Sequence, residues 1–187
     1  RKIFYENLKN SKSKNFDIIY FARNEKYKRL DRFESFLKTE YSKKLRIIVV
    51  SQNIGLLEKL KLKFDFINIS VPKNDVDLIN LIDQSNCLFY TSDYEGFGLP
   101  IYECLARKVP FIAYKISAFK HFEINDIKDL LIENNQDAII KFKKILTDNK
   151  YRERIANLGY NFTLKYNMEN SAQKFIEAIK FKLKWVL

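Results

Sequence analysis

Short apolar runs alternate along this chain with stretches whose apolar residues recur at helical spacing, and this alternation limits the folds open to it. The runs are continuously apolar, so the strands that they predict are expected to be covered on both faces. Six runs predict strands: Asp17–Ala22, Leu45–Val50, Phe66–Val71, Asn86–Tyr90, Pro110–Tyr114 and Leu130–Ile132. The pattern therefore predicts an α/β protein with a parallel sheet of about six strands and helices on both faces.

The domain organisation follows from length and composition. A chain of 187 residues has room for one domain, at roughly 100–200 residues per domain. Residues 1–16 are rich in Lys, Asn and Ser and are predicted to be a linker or a frayed helix, which leaves residues 17–187 as one Rossmann-like domain. From Asp137 onward the pattern predicts a helical C-terminal extension of three segments that end near Trp185. Because the first residue is Arg1 and not Met, we expect the chain to be part of a longer protein.

The charge of the chain bears on its partners. It carries 34 Lys and Arg against 23 Asp and Glu, a formal net charge of +11. The lysines are scattered from Lys2 to Lys184, and no basic stripe interleaved with stacking aromatics stands out, so no nucleic acid is expected as a partner. Polybasic surfaces are attracted to anionic lipid, so a peripheral contact with the inner face of the membrane is expected instead.

Cysteine and histidine usage excludes several kinds of site. Cys87 and Cys104 form no CxxC motif, and His121 is the one histidine in the sequence. These residues do not make up a disulfide framework or a zinc site, so no metal is expected. A chain with two isolated cysteines is typical of a reducing compartment, and we expect a cytoplasmic location.

Two of the four glycines and one of the three prolines fall within the five residues Gly96 to Pro100. This segment follows the fourth predicted strand and opens a helix. Glycine permits a close approach of the backbone to a ligand, and proline suits the first helical turn. In a parallel α/β sheet, ligands bind at the carboxyl ends of the strands, so a binding site is predicted at this turn.

Glu95 and Glu103 flank the glycine turn, with seven residues between them. Carboxylates accept hydrogen bonds from the hydroxyl groups of sugars and ribose, so the pair suits a polyol ligand. The residues alone fit equally well with a plain glycine turn that carries two solvent-facing glutamates.

The segment from Ser92 to Ala106, with its two spaced glutamates, resembles the signature of glycosyltransferase family 4. Members of that family are retaining nucleotide-sugar enzymes of the GT-B architecture. The resemblance extends to Ile19–Arg23 with Lys28, to Ile47–Ser51, and to Tyr151–Arg154 with Gly159. It implies that the chain is the C-terminal, donor-binding half of such an enzyme.

The resemblance also implies roles for single residues. Arg23 and Lys28 would hold the diphosphate of the donor in place of a metal, so neither a metal nor another cofactor is expected. Glu95 would hold the transferred sugar and stabilise positive charge on it in the transition state. The remaining donor-binding residues would be Glu103, on the ribose hydroxyls, and Phe97, Gly98 and Leu99, through their backbone N–H groups.

The chain departs from the family pattern at four glycine positions, which hold Ala22, Arg29, Ser51 and Lys108. No charged site residue is lost, so we expect transfer of a sugar from a nucleotide-diphosphate sugar to a glycan or lipid-linked acceptor. The acceptor pocket would lie in the missing N-terminal domain, and the fragment by itself is expected to be inactive. Two alternatives stay open: a nucleotide-sugar-binding or scaffold subunit without turnover, and a GT-B-like sugar epimerase.

Overall fold

A computed structural model describes residues 2–6, 14–119, 125–165 and 168–183. Its centre is one sheet of six strands, and every neighbouring pair of strands runs parallel. The strands are β1 (Phe16–Phe21), β2 (Ile47–Val50), β3 (Asn68–Ser70), β4 (Ser85–Tyr90), β5 (Phe111–Tyr114) and β6 (Leu131–Ile132). The predicted six-stranded parallel sheet is confirmed, and no strand end differs from the predicted one by more than two residues.

Helices follow the strands in the predicted alternation. They are α1 (Leu30–Leu37), α2 (Ile54–Lys63), α3 (Asp75–Asp83), α4 (Leu99–Ala106), α5 (Asn125–Lys128), α6 (Asn135–Thr147), α7 (Asn149–Leu164) and α8 (Met168–Leu183). The three-part C-terminal extension corresponds to α6, α7 and α8, while Trp185 lies outside the described residues. None of these helices is long and apolar enough to cross a membrane, within the ranges that the structure describes.

The sheet is covered on both faces. All residues of β2, β4 and β5 are buried, and successive side chains of a strand point to opposite faces. On one side, Phe89 of β4 packs between Phe36 of α1 and Phe142 of α6, with ring centroids 5.1 and 5.3 Å away. Elsewhere α7 packs on α4, where a Cβ atom at Gly159 would collide with the side chain of Leu105. The Rossmann-like core therefore extends into the C-terminal helices.

The N-terminal segment packs on the domain where the structure describes it. Lys2–Tyr5 form a short 3-10 helix, and the Phe4 side chain is 1% exposed. Lys14 donates hydrogen bonds to the carbonyl oxygens of Asp83 and Ser85. A free linker or a frayed helix would not make these contacts, whereas Phe4 is part of the apolar core. Residues 7–13 lie outside the described residues.

The strand order, β3-β2-β1-β4-β5-β6, determines where a ligand can bind. The chain builds outward from β1 to β3 on one side and from β4 to β6 on the other. In open α/β sheets the crevice at such a switch point, beyond the carboxyl ends of the strands, is the usual binding place. Here that crevice lies between the segment that follows Phe21 and the segment that follows Tyr90.

Candidate functional site

Two adjoining cavities open at the switch point. The larger has a volume of about 920 Å³ and lies between the segments after β1, β2 and β3 and the start of α4. The smaller has a volume of about 250 Å³ and lies between the segments after β1 and β4. Phe21, Arg23, Leu99 and Pro100 line both cavities, so the two spaces meet at these residues. Together they offer a two-part site of the size that binds small molecules.

In the smaller cavity, Lys28 and Glu95 form a direct ion pair. The Nζ–Oε1 distance is 2.5 Å, and the two side chains are 15% and 11% exposed. The phenol of Tyr90 donates to the same Oε1 atom at 2.6 Å. Burial opposes ionisation of Glu95, but hydrogen bonds from Lys28, Tyr90 and Ser92 outweigh it and lower the pKa of the carboxyl below its ordinary value. Glu95 is therefore a carboxylate at neutral pH, with an ammonium group beside it.

The larger cavity carries the other predicted charges. Glu103, one turn into α4, lines it opposite the segment from Pro72 to Asp75. Arg23 stands at the junction with a side chain that is 63% exposed, and its guanidinium is 3.9 Å from the Glu25 carboxylate. A guanidinium that is this open to solvent is accessible to an anionic ligand.

The glycine turn takes the form that the sequence predicts. Gly98 has φ +79° and caps α4, while Pro100 lies in the first turn of that helix. A Cβ atom at Gly98 would lie 3.0 Å from the Phe119 ring, so both the backbone conformation and the space favour glycine. Phe97 stacks on Tyr102 with ring centroids 4.2 Å apart. The Ile101 N–H donates to the Gly98 carbonyl at 2.9 Å, and Leu99 and Pro100 at the start of α4 line both cavities.

All seven predicted site residues line one of the two cavities: Arg23, Lys28, Glu95, Phe97, Gly98, Leu99 and Glu103. Sequence reasoning missed Tyr90 and Ser92, which both bond to Glu95, and Gln52, whose side chain donates to the Pro72 carbonyl at 2.8 Å. Tyr90 and Ser92 lie at the carboxyl end of a buried strand, beside the glycine turn. Tyr90 and Ser92 could have been predicted from that position.

Comparison with known proteins identifies the family. The family model described as "Glycosyl transferases group 1" matches residues 3–162 of the chain. The chain belongs to this family. The O-antigen chain mannosyltransferase B of Escherichia coli is 30% identical over 107 residues, which are 57% of this chain and 28% of that protein. The narrower assignment to glycosyltransferase family 4 stays a prediction.

Solved structures of glycosyltransferases share the fold. The C-terminal domain of the group 1 protein LpcC from Francisella tularensis is 24% identical, with a TM-score of 0.66 over 83% of this chain and 88% of that one. Anabaena HepE, solved in complex with UDP-glucose, is 15% identical, with a TM-score of 0.71 over 89% of this chain and 49% of HepE. The group 1 chain thus has the fold of a C-terminal GT-B domain and spans a minor part of its longer relatives.

The four glycine replacements in this group 1 chain fall into two classes. Arg29 and Lys108 have φ values of 52° and 56°, a left-handed conformation that favours glycine. Neither residue lines either of the two cavities described above. Ala22 and Ser51 line the larger cavity and add small side chains to its wall. Only the second pair can narrow the approach of a ligand to the backbone.

Acid is expected to weaken the contribution of Glu95 to stability. A group whose pKa is lowered by folding stabilises the fold above its ordinary pKa, here 4.5, and loses this effect as the pH falls through the lowered value. The difference in melting temperature between the parent and a Glu95→Gln variant should therefore narrow below about pH 4.5. Thermal unfolding followed by circular dichroism between neutral pH and about pH 3 measures it. A difference that stays constant or widens on acidification contradicts the assignment.

Proposed function

We propose that this chain is the donor-binding domain of a retaining, metal-independent glycosyltransferase. Its donor would be a nucleotide-diphosphate sugar and its acceptor a glycan or a lipid-linked glycan. The observation that carries the proposal is the pair of adjoining cavities with Arg23 at their junction. The larger cavity has room for a nucleoside and the smaller one for a sugar, so the diphosphate between them would pass Arg23.

Each polar group in the cavities has a task in this arrangement. The Glu103 carboxylate can accept hydrogen bonds from the ribose hydroxyls in the larger cavity. The Arg23 guanidinium and the backbone at the start of α4 meet the diphosphate, helped by the positive end of the helix dipole. Glu95 lies in the smaller cavity, where a carboxylate can bind the hydroxyls of the transferred sugar.

The proposed chemistry separates charge, and the site is charged to match. When the bond from the anomeric carbon to the diphosphate oxygen breaks, negative charge collects on the diphosphate and positive charge on the sugar ring. Arg23 and Lys28 stabilise the first charge, and the Glu95 carboxylate stabilises the second. Two cations at the leaving group supply the charge that a divalent metal supplies in other enzymes, which is why we propose a metal-independent reaction.

Similar proteins support this choice of donor. HepE was solved with UDP-glucose, and the pneumococcal O-GlcNAc transferase GtfA with UDP and GlcNAc. A cytoplasmic location is part of the proposal, because Cys87 and Cys104 are buried free thiols of the kind that reducing compartments preserve. The acceptor domain and a peripheral membrane contact are proposed on the resemblance and the charge alone.

Titration of the 187-residue chain with nucleotide-sugars tests the proposal. UDP-glucose or GDP-mannose is expected to raise the melting temperature, since a ligand that binds only the folded state stabilises it. Glu103→Gln should weaken this binding about tenfold, the effect of losing one hydrogen bond to a charged group. Glu40→Gln is the matched control, because Glu40 is exposed, precedes the amino end of β2 and lines neither cavity. If both variants bind nucleotide-sugars with equal affinity, Glu103 does not bind the ribose hydroxyls.

A donor-binding subunit without turnover is the second candidate, favoured by Ala22 and Ser51 where the family pattern has glycine. It predicts nucleotide-sugar binding without transfer. The assay is made on the longer protein that carries this domain, with an acceptor glycan and detection of the released nucleoside diphosphate. Release together with an elongated acceptor whose new linkage keeps the anomeric configuration supports the enzyme; binding with no release supports the subunit.

A further inference from the structure

Asp93 joins the two segments that carry the Lys28–Glu95 pair, although it lines neither cavity. One carboxylate oxygen is 2.6 Å from Nη1 of Arg29, and the other is 2.6 Å from Nη1 of Arg32. The contact with Arg29 is a charge-assisted hydrogen bond, and the contact with Arg32 is an ion pair. Asp93 is thereby held between two guanidinium groups.

Backbone contacts reinforce the same connection. The backbone N–H of Asp93 donates to the Tyr27 carbonyl at 2.8 Å, and the Thr91 hydroxyl donates to the Lys28 carbonyl at 2.9 Å. Arg32 also donates to the Thr91 carbonyl at 3.0 Å. The segment after β1 is thus tied to the segment after β4 on either side of the ion pair. Arg29 is the residue next to Lys28, and Asp93 precedes Glu95 by two residues.

Arg29 occupies a backbone conformation that favours glycine, with φ 52° and ψ 53° at the start of α1. An arginine is less favourable there than glycine, but its side chain makes contacts that a glycine lacks. Its Nε and Nη2 atoms bond to both oxygens of Asp31 at 2.9 and 2.8 Å, which leaves Nη1 aimed at Asp93. The two hydrogen bonds to Asp31 therefore fix the direction from which Arg29 reaches Asp93 in the segment after β4.

We propose that Asp93, clamped by Arg29 and Arg32, is a positioning residue that holds Lys28 and Glu95 at the separation the donor requires. The proposal rests on the proposed function, since it concerns the diphosphate and sugar end of the same site. Small displacements of binding groups weaken binding strongly. Contacts that hold the segments after β1 and β4 together therefore keep Lys28 and Glu95 in place in the smaller cavity before the ligand binds. The larger cavity is lined by no residue of the clamp and by neither member of the ion pair.

This separation of the cavities gives a selective test. Arg29→Gly and Asp93→Asn should each lower the affinity for UDP-glucose or GDP-mannose about tenfold, the usual scale for losing a charged hydrogen bond. The affinity for UMP or GMP, which lack the second phosphate and the sugar, should stay within about twofold of that of the parent chain. Isothermal titration calorimetry on the 187-residue chain measures both. Arg29→Lys keeps a cation opposite Asp93 and should recover part of the loss.

A variant that is expected to fold and a control variant separate an effect on binding from an effect on stability. Arg29→Gly places the residue best suited to the backbone at that position, so it should fold even if Asp93→Asn is destabilised. Glu34→Gln breaks the Glu34–Lys63 pair, 2.6 Å apart on α1 and α2, and should leave both affinities unchanged. An equal loss for nucleotide-sugar and monophosphate, or no loss for either, overturns the positioning role alone. A parent chain that binds none of these ligands overturns the proposed function, and the positioning role with it.

Discussion

Asp83→Asn is expected to lower the free energy of unfolding by about 3–5 kcal/mol, which is the cost of leaving a buried charge without its partner. Asp83 and Arg107 are 12% and 3% exposed, and they meet through two parallel hydrogen bonds of 2.8 and 2.7 Å. The Arg107 guanidinium also donates to the carbonyl oxygens of Phe4 and Glu6. Loss of the carboxylate therefore leaves the buried Arg107 cation without its counter-ion. Urea unfolding followed by circular dichroism measures the change.

The matched control is a double variant in which both charges are removed. Arg107→Met combined with Asp83→Leu should recover part of the lost stability, because it removes both buried charges, although the carbonyl oxygens of Phe4 and Glu6 then lose the donor that Arg107 provides. Lys43→Gln, which breaks the exposed Lys43–Glu40 pair, should change stability by less than about 1 kcal/mol. A cost of that small size for Asp83→Asn as well would mean that the guanidinium is solvated in the folded chain.

The Asp83–Arg107 pair shows what a sequence pattern leaves undetermined. Asp83 ends α3 and Arg107 follows α4, so each looks like an ordinary helix-end charge in the sequence. The pair forms because β4 carries the chain across the sheet between them, and apolar periodicity does not report which helix ends then meet. The burial of Phe4 escaped prediction for the same reason, since it lies in a segment rich in Lys, Asn and Ser and its carbonyl binds Arg107, which is 103 residues away in the sequence.

The strands were predictable because burial and pairing mostly coincide. β1, β2, β4 and β5 are near-continuous apolar runs in the sequence. In the structure β2, β4 and β5 are wholly buried, and β1 is buried in its centre, from Ile18 to Tyr20. The third run is the exception: Ile67 is fully buried but precedes β3, while Ile69 lies within it and is exposed. β3 lies at the edge of the sheet and pairs with β2 only. Burial and backbone pairing do not coincide there, so the apolar residues do not mark the ends of the strand.

The sequence predicted residues that line the two cavities, but not the contacts that these residues make with one another. The glycine turn and its glutamates are local features, and the resemblance added Arg23 and Lys28 across the sheet. The Lys28–Glu95 bond joins residues 67 positions apart, and it depends on β1 lying beside β4. That adjacency is a property of the strand order, on which composition and spacing are silent.

Lys28→Ala is expected to weaken nucleotide-sugar binding by roughly 100-fold, for two reasons that act together. In the proposed complex the donor diphosphate loses the Lys28 cation, which lies 2.5 Å from Glu95 in the free chain. The Glu95 carboxylate, which Lys28 neutralises, then faces the incoming diphosphate as a like charge in a partly buried cavity. Calorimetric titration with UDP-glucose or GDP-mannose measures the loss, and circular dichroism confirms that the variant is folded.

The second reason can be separated from the first, because the repulsion needs Glu95 to be charged. Glu95→Gln added to Lys28→Ala should recover about tenfold of the lost affinity, although it removes a further polar contact to the sugar. Alone, Glu95→Gln should weaken nucleotide-sugar binding, since Lys28 remains and only the contact to the sugar is changed. A double variant that binds more weakly than Lys28→Ala shows that Glu95 attracts the donor more than it repels it. Undiminished binding by Lys28→Ala means that the ammonium group serves Glu95 alone, and Arg23 is then the cation that receives the diphosphate.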